Sequence, residues 1–183
     1  RDALKEKMNN WGLSFSGFAQ DLWSEELLNT DDQSKYISEF KANVDFAVDL
    51  GIKGVRVDCV QPPTIHNEVD DDTLFSRLTN TWDTCINYAA DKGIYVTWEF
   101  EPGFAFNKPS YVLKVLDKLQ HANFGLMYDT CHGQMLGVVG ARQQGEKEVV
   151  KDQLELISKF SGRINHIHLL NSFLLLHLNL HHK

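Results

Sequence analysis

Four times in succession the sequence passes from an amphipathic helical stretch into a short, β-branched apolar one, and that alternation limits the folds open to it. The first cycle shows the pattern. From about Gln33 to Leu50, Tyr36, Ile37, Phe40, Val44, Phe46, Ala47 and Leu50 recur at spacings of three and four, and Gly51 stops the helix. GVRVDCV, residues 54 to 60, then reads as a strand that ends before Pro62 and Pro63. A second helix from Asp72 to Lys92 stops at Gly93 and leads into a strand from Ile94 to Phe100, closed by Pro102 and Gly103. Pro109 marks the next helix start, Ser110 to Ala122 carries Val112, Val115, Leu116 and Leu119 on one side, and Phe124 to Tyr128 is its strand. The last cycle is a helix from about Glu146 to Phe160, stopped near Gly162, followed by a strand from Ile164 to Leu170. Ahead of all four, Asp2 to Asn10 has helical composition and Leu13 to Ala19 alternates as a short strand.

Helices and near-continuous apolar strands alternating at roughly 30 to 40 residues build right-handed parallel units in which helices cover the sheet. Two architectures share this pattern. An open doubly wound sheet carries a glycine-rich turn of the G-x-G-x-x-G type after its first strand, and the sequence has none. A closed (β/α)8 barrel gathers its chemistry at the C-terminal ends of several strands, where this chain keeps its polar residues. The expected fold is therefore α/β, a TIM barrel. With five strands visible and about 250 residues usual for eight, the barrel is expected to be incomplete, lacking the first strand and the last two.

At 183 residues and 43% hydrophobic, the chain can bury one substantial core. A formal charge of −7 and a pI near 5.6 give no footprint for gripping a phosphate backbone, so no nucleic-acid partner is expected. Cys59, Cys85 and Cys131, an odd set without paired spacing, read as reduced thiols. The opening RDALKEKMNN lacks the apolar core of a signal peptide, and no run approaches the ~20 apolar residues of a membrane span. A cytoplasmic protein without a membrane partner is expected. Arg1, standing in a helical stretch without a preceding Met, reads as the start of a fragment or a processed product. Residues 1 to 172 read as the partial barrel and 173 to 183, leucine-rich and histidine-ended, as an anomalous tail.

The strand ends carry the chemistry. Strand Ile94 to Phe100 runs into WEFEPG, and alternation places Glu99 and Glu101 on the face opposite Trp98 and Phe100. Burying such acids costs several kcal/mol per charge unless a cation compensates, which points to a metal or a proton-transfer role; the bland alternative is a loop with solvated acids. Strand Phe124 to Tyr128 ends in Asp129, with His132 three residues on, either as ligand and neighbouring imidazole or as an aspartate capping the next turn. In INHIHLLNS, residues 164 to 172, alternation puts His166 and His168 on one face, where either can also be a core histidine satisfied by the backbone. Three successive strand ends thus supply Glu99, Asp129 and His168, a mixed oxygen and nitrogen set that suits Mn2+, Mg2+ or Co2+, or Zn2+ in a softer site. Arg56 and Asp58 share a strand face and read as a buried ion pair. His66 and Glu68 in one loop, and Arg142 and Gln143 in another, either reach a substrate from above the barrel or are solvated. Asp70, Asp71 and Asp72 start the next helix, whose dipole favours negative charge.

WEFEPG at 98 to 103, GLMYDTCH at 125 to 132 and HIHL at 166 to 169, together with KGVRVD at 53 to 58, resemble in order and spacing the sugar isomerases and epimerases of the xylose-isomerase-like barrel superfamily, which also includes endonuclease IV-type repair enzymes. The resemblance implies one divalent metal held by Glu99, Asp129 and His168, with Glu99 preferred to Glu101 because it fits the E-x-x-P pattern. It makes Glu99 both ligand and base and places His132 against substrate, with Glu101, His66 and Arg142 as further substrate candidates. The activity it implies is isomerisation or epimerisation of a small sugar or sugar phosphate by proton transfer through an enediolate, in an enzyme that pairs into dimers or tetramers. The alternative is metal-dependent phosphodiester cleavage as in the repair branch, which needs a trinuclear zinc site and a basic face. The superfamily also uses a fourth ligand, a glutamate of the eighth strand that shuttles the proton; the chain ends before such a strand, so a catalytically incomplete barrel fragment is the remaining expectation. After His168, SFLLLHLNLHHK departs from the Asp-rich loop usual in the family.

Overall fold

Five strands run parallel and pair strictly in chain order: β1 (Phe18–Ala19), β2 (Gly54–Val57), β3 (Tyr95–Glu99), β4 (Phe124–Asp129) and β5 (Ile164–His168). The computed structural model describes residues 1–170, so the tail read at 173 to 183 lies outside the described residues. Helix α1 (Asp2–Asn10) precedes β1; α2 (Ser34–Leu50), α3 (Asp71–Asp91) and α4 (Pro109–Lys118) cross over between successive strands, and α5 (Thr130–Gly133) and α6 (Gln153–Lys159) share the last crossover. This is the repeating unit of a TIM barrel wall, five strands of it. No helix among the described residues is long and apolar enough to cross a membrane.

The helices bury the faces that their spacing predicts. Helix α2 turns Tyr36, Phe40, Val44, Ala47 and Leu50 inward and ends at Gly51, whose φ of 72° is the left-handed stop. Helix α3 is capped by Asp70, which accepts the Thr73 N–H, and buries Leu74, Leu78, Trp82, Cys85, Ile86 and Ala89. Between helices and sheet, Trp82 meets Trp98 edge-on at 5.4 Å and donates its indole N–H to Tyr36 Oη at 3.1 Å. Phe100, Tyr128 and Phe160 close the same layer. All three cysteines are buried and free. With the apolar side chains of β3 and β4 spent on the helices, the opposite parity of each strand faces the barrel interior.

Several boundaries differ from expectation: β2 ends at Val57 rather than Val60, α4 at Lys118 rather than Ala122 and β5 at His168 rather than Leu170. Of the strand read over Leu13 to Ala19, only Phe18 and Ala19 pair with β2, since Leu13, Ser14, Ser16 and Gly17 lie exposed beyond the short β2 ladder. The helix read from about Glu146 begins at Gln153. Gly140 and Gly145 both take a left-handed φ of 64°, and Asp152 caps α6 by accepting the Glu155 N–H at 2.9 Å. The turn expected after Asp129 instead winds into α5 and a wider helical turn over Gln134–Val138.

One irregularity in the sheet sets the direction of the β5 side chains. Leu126 pairs with Ile164 but Met127 pairs with His166, so β5 carries one extra residue, Asn165. Asn165 lies across Gly125 of β4: its amide donates to Val96 O at 3.2 Å and its oxygen accepts the Thr97 hydroxyl at 2.7 Å. A Cβ on Gly125 would sit 2.8 Å from Asn165 Cγ and 2.7 Å from Arg163 O, so only glycine leaves this crossing open. Gly125→Val is therefore expected to cost about 1–3 kcal/mol, read as a lowered urea midpoint; an unchanged midpoint would show that the bulge is not under this constraint.

Candidate metal centre

Inward parity and the bulge bring three strand ends together. Glu99 on β3, Asp129 on β4 and His168 on β5 each offer a ligand atom, and these atoms lie within 4.8 Å of one another. His168 Nδ1 is 3.0 Å from Glu99 Oε1 and 3.8 Å from Asp129 Oδ2. Asp129 divides its two oxygens. Oδ1 accepts the N–H groups of Cys131 at 2.7 Å and His132 at 3.0 Å, capping α5, while Oδ2 is buried without a hydrogen-bond partner. The capping expected of Asp129 is present and uses one oxygen, leaving the other open. An orphaned carboxylate oxygen beside a second carboxylate and an imidazole nitrogen is a donor set that fits a divalent cation.

A second group of acids overlaps the first. Asp58, Glu99 and Glu101 also bring carboxylate oxygens within 4.8 Å of one another. Arg56 of β2 serves two of them, with Nη1 2.6 Å from Glu99 Oε2 and Nη2 3.1 Å from Asp58 Oδ2. The pair read as Arg56 with Asp58 is present, then, but Arg56 also reaches Glu99. Trp23, in the loop after β1, donates its indole N–H to Asp58 Oδ2 at 3.2 Å and packs edge-on against Phe104 at 5.7 Å. Sequence reasoning missed Trp23, because nothing in its local pattern marks a residue whose partner lies on the next strand. Burial pushes the Asp58 carboxyl up to about 6, against the pull of Arg56 and of the Trp23 N–H. Burial also pushes Glu101 up to about 7, with the charges of Asp58 and Glu99 adding to it.

The remaining candidates lie around this centre or apart from it. His166 meets His168 edge-on at 5.4 Å and, with Arg56, Thr97 and Met127, lines a cavity of about 150 Å³ on the inner sheet face. His132 sits half-buried in α5, one turn beyond Asp129. Arg142 is exposed, takes a left-handed φ of 59° and lays its guanidinium beside Gly103 in the turn after Glu101. His66 is not among the clustered residues: Nδ1 pairs with Asp71 at 2.6 Å, Nε2 with Ala105 O at 2.8 Å, and its ring stacks on Tyr111. Gln143 is buried and pins its own loop, bonding Leu136 O and both the N–H and the carbonyl of Glu148. Asp70 caps α3, as its position predicts.

The profile of the xylose isomerase-like TIM barrel family matches residues 1–179, and the chain belongs to that family. No curated protein sequence matches it. Among solved structures it is similar to 3-keto-D-glucoside 4-epimerase YcjR from E. coli, at TM-score 0.72 and 11% identity over 93% of this chain and 64% of that one. It is also similar to an AP endonuclease, family 2, from Brucella melitensis, at TM-score 0.70 and 14% identity over 92% and 63%. A xylose isomerase-like TIM barrel protein from Mycobacterium smegmatis in complex with magnesium gives TM-score 0.66 and 16% identity over 91% and 54%. The chain thus spans little more than half the length of such structures, and at these identities they establish the fold.

Asp58 and Glu101 hold protons more tightly in the folded chain than at their ordinary values of 3.8 and 4.5. Their contribution to stability is full below about pH 4 and is lost as pH rises through about 6 and 7. In EDTA, the denaturation midpoint is expected to fall less between pH 5 and 8 in the Asp58→Asn, Glu101→Gln double variant than in the parent chain. Equal slopes would show that these two groups are not strained by burial.

Proposed function

We propose that the protein is a divalent-metal-dependent isomerase or epimerase of a small sugar or sugar phosphate, with Glu99, Asp129 and His168 as the metal ligands. The observation that carries this reading is the convergence of those three side chains from three consecutive strand ends, with Asp129 Oδ2 left unpartnered. Membership of the family and the epimerase among its structural relatives support it. Mn2+, Mg2+ or Co2+ suits the donor set, and Zn2+ is compatible with it. Bound there, the ion would polarise a substrate carbonyl and its adjacent hydroxyl.

The chain's own residues supply the rest. Glu99 has Oε2 committed to Arg56 and Oε1 turned to His168, so both its oxygens are occupied in holding the centre. Glu101 stands beside it at ligand distance and enters no ion pair among the described residues. We therefore assign proton movement to Glu101, whose carboxylate takes the proton from the carbon next to the carbonyl and returns it on the same face to the neighbouring carbon, which is isomerisation; epimerisation needs a second acid to deliver a proton to the opposite face. An enediolate is the species between those two transfers. His132 and Arg142, one beyond Asp129 and the other beside the turn after Glu101, are the donors for substrate hydroxyls or phosphate. Trp23 and Phe104 wall the Asp58 side against water. His66 contributes by holding the Ala105 loop in place.

The test is solvent deuterium exchange at the carbon beside the carbonyl, with Mn2+ and a panel of ketoses, aldoses and their phosphates. Glu101→Gln is expected to keep the metal and lose exchange by about 10²–10⁴-fold, whereas Glu99→Gln loses the metal itself. Metal bound with no exchange on any sugar would overturn the isomerase reading. Three zinc ions per chain would move the assignment to phosphodiester cleavage, the reading to which the AP endonuclease relative belongs.

A further inference from the structure

Two overlapping groups of acids meet at the strand ends, and Glu99 is common to both. The first contains an imidazole and an orphaned oxygen. The second, Asp58, Glu99 and Glu101, contains carboxylates alone and already holds a guanidinium. In a two-metal site the ions sit about 3.5–4 Å apart, and a carboxylate shared between two ligand groups bridges them by giving one oxygen to each. Glu99 is placed to do this. Its Oε1 lies 3.0 Å from His168 Nδ1 of the first group, and its Oε2 is the atom that Arg56, which also holds Asp58 of the second group, takes at 2.6 Å. The other oxygen that Arg56 takes, Asp58 Oδ2, belongs to the same second group. Asp58 is 6% exposed and its Oδ1 has no partner among the described residues, so the guanidinium is the charge that compensates this acid.

We propose that Arg56 is the resident cation of the second group: it takes the place of a second metal ion and holds the centre to a single ion at Glu99, Asp129 and His168. The proposal rests on the metal centre described above. A second ion on Asp58 and Glu99 would have to displace the guanidinium from both oxygens at once. It would also do so beside a permanent positive charge, because arginine keeps its proton in proteins. Gln20 holds the β2 main chain at this position by donating to the backbone carbonyl of Arg56 at 3.2 Å. The charges are consistent with one ion. Asp58, Glu99, Glu101 and Asp129 carry four negative charges at full ionisation, and Arg56 with one divalent ion returns three of them. A single-ion centre suits chemistry at one carbonyl and its neighbouring hydroxyl; it lacks the second ion that would clamp the leaving oxygen of a phosphodiester.

The experiment is a calorimetric titration of the metal-free full chain with Mn2+, paired with electron paramagnetic resonance of the loaded protein. The parent chain is expected to bind one Mn2+ with an uncoupled signal. Arg56→Met is expected to bind two, with the exchange-coupled spectrum of ions a few ångströms apart, and Arg56→Lys to stay at one. Adding Asp58→Asn to Arg56→Met should return the count to one. Two ions in the parent chain, or one uncoupled ion in a folded Arg56→Met, overturns the role of Arg56 and leaves the first group standing. No ion in the parent chain overturns both. Should Arg56→Met not fold, Arg56→Gln replaces it, and the parent count by itself still decides between one ion, which supports the proposal, and two, which sinks it.

Discussion

The site depends on one extra residue in β5. Parallel strands place side chains alternately on the two faces of the sheet, so a slip of one residue exchanges the faces for everything beyond it. Were β5 in unbroken register with β4, Met127 would face Asn165 and Asp129 would face Ile167, and both histidines would point at the helices. The bulge at Asn165 reverses this and sets His168 beside Asp129. What secures the bulge is local: Gly125 lacks a side chain, Asn165 fills that gap, and its amide is satisfied by Thr97 and Val96 on the strand beyond. A glycine on the strand next to that of Glu99, and four residues from Asp129 in sequence, thus decides which face carries the imidazoles.

Placed there, the ligands meet a second constraint, which is charge. Four acids converge where the barrel interior excludes much of the water, and carboxylates in such surroundings resist ionisation unless cations stand beside them. Arg56 answers for Asp58 and half of Glu99; the backbone N–H groups of Cys131 and His132 answer for half of Asp129. Of the oxygens left over, Glu99 Oε1 and Asp129 Oδ2 lie beside His168 Nδ1, while Asp58 Oδ1 and the Glu101 carboxylate have no partner among the described residues.

Much of this was legible in the sequence because it depends on period and position. The 3.6-residue spacing in Tyr36 to Leu50 and the β-branched runs ahead of proline and glycine yield the order of elements, and polar residues at the ends of apolar strands mark Glu99, Asp129 and His168. What stayed hidden depends on pairing between strands. Alternation says that His166 and His168 share a face but not which face, since that is set by Asn165 against Gly125. The double partnership of Arg56 is hidden likewise, because Glu99 lies 43 residues away on another strand. The late start of α6 was within reach: Asp152 with Glu155 three residues on is a capping signal, which the apolar Val149 and Val150 masked.

Because each strand among the described residues pairs with its neighbours in sequence, this part of the sheet can be assembled one unit at a time as chain emerges. The three clustered side chains arrive in that same order, Glu99 first, Asp129 next and His168 last. The cluster of Glu99, Asp129 and His168 is therefore complete only once β5 docks against β4. A chain stalled before that step presents the acids without their imidazole.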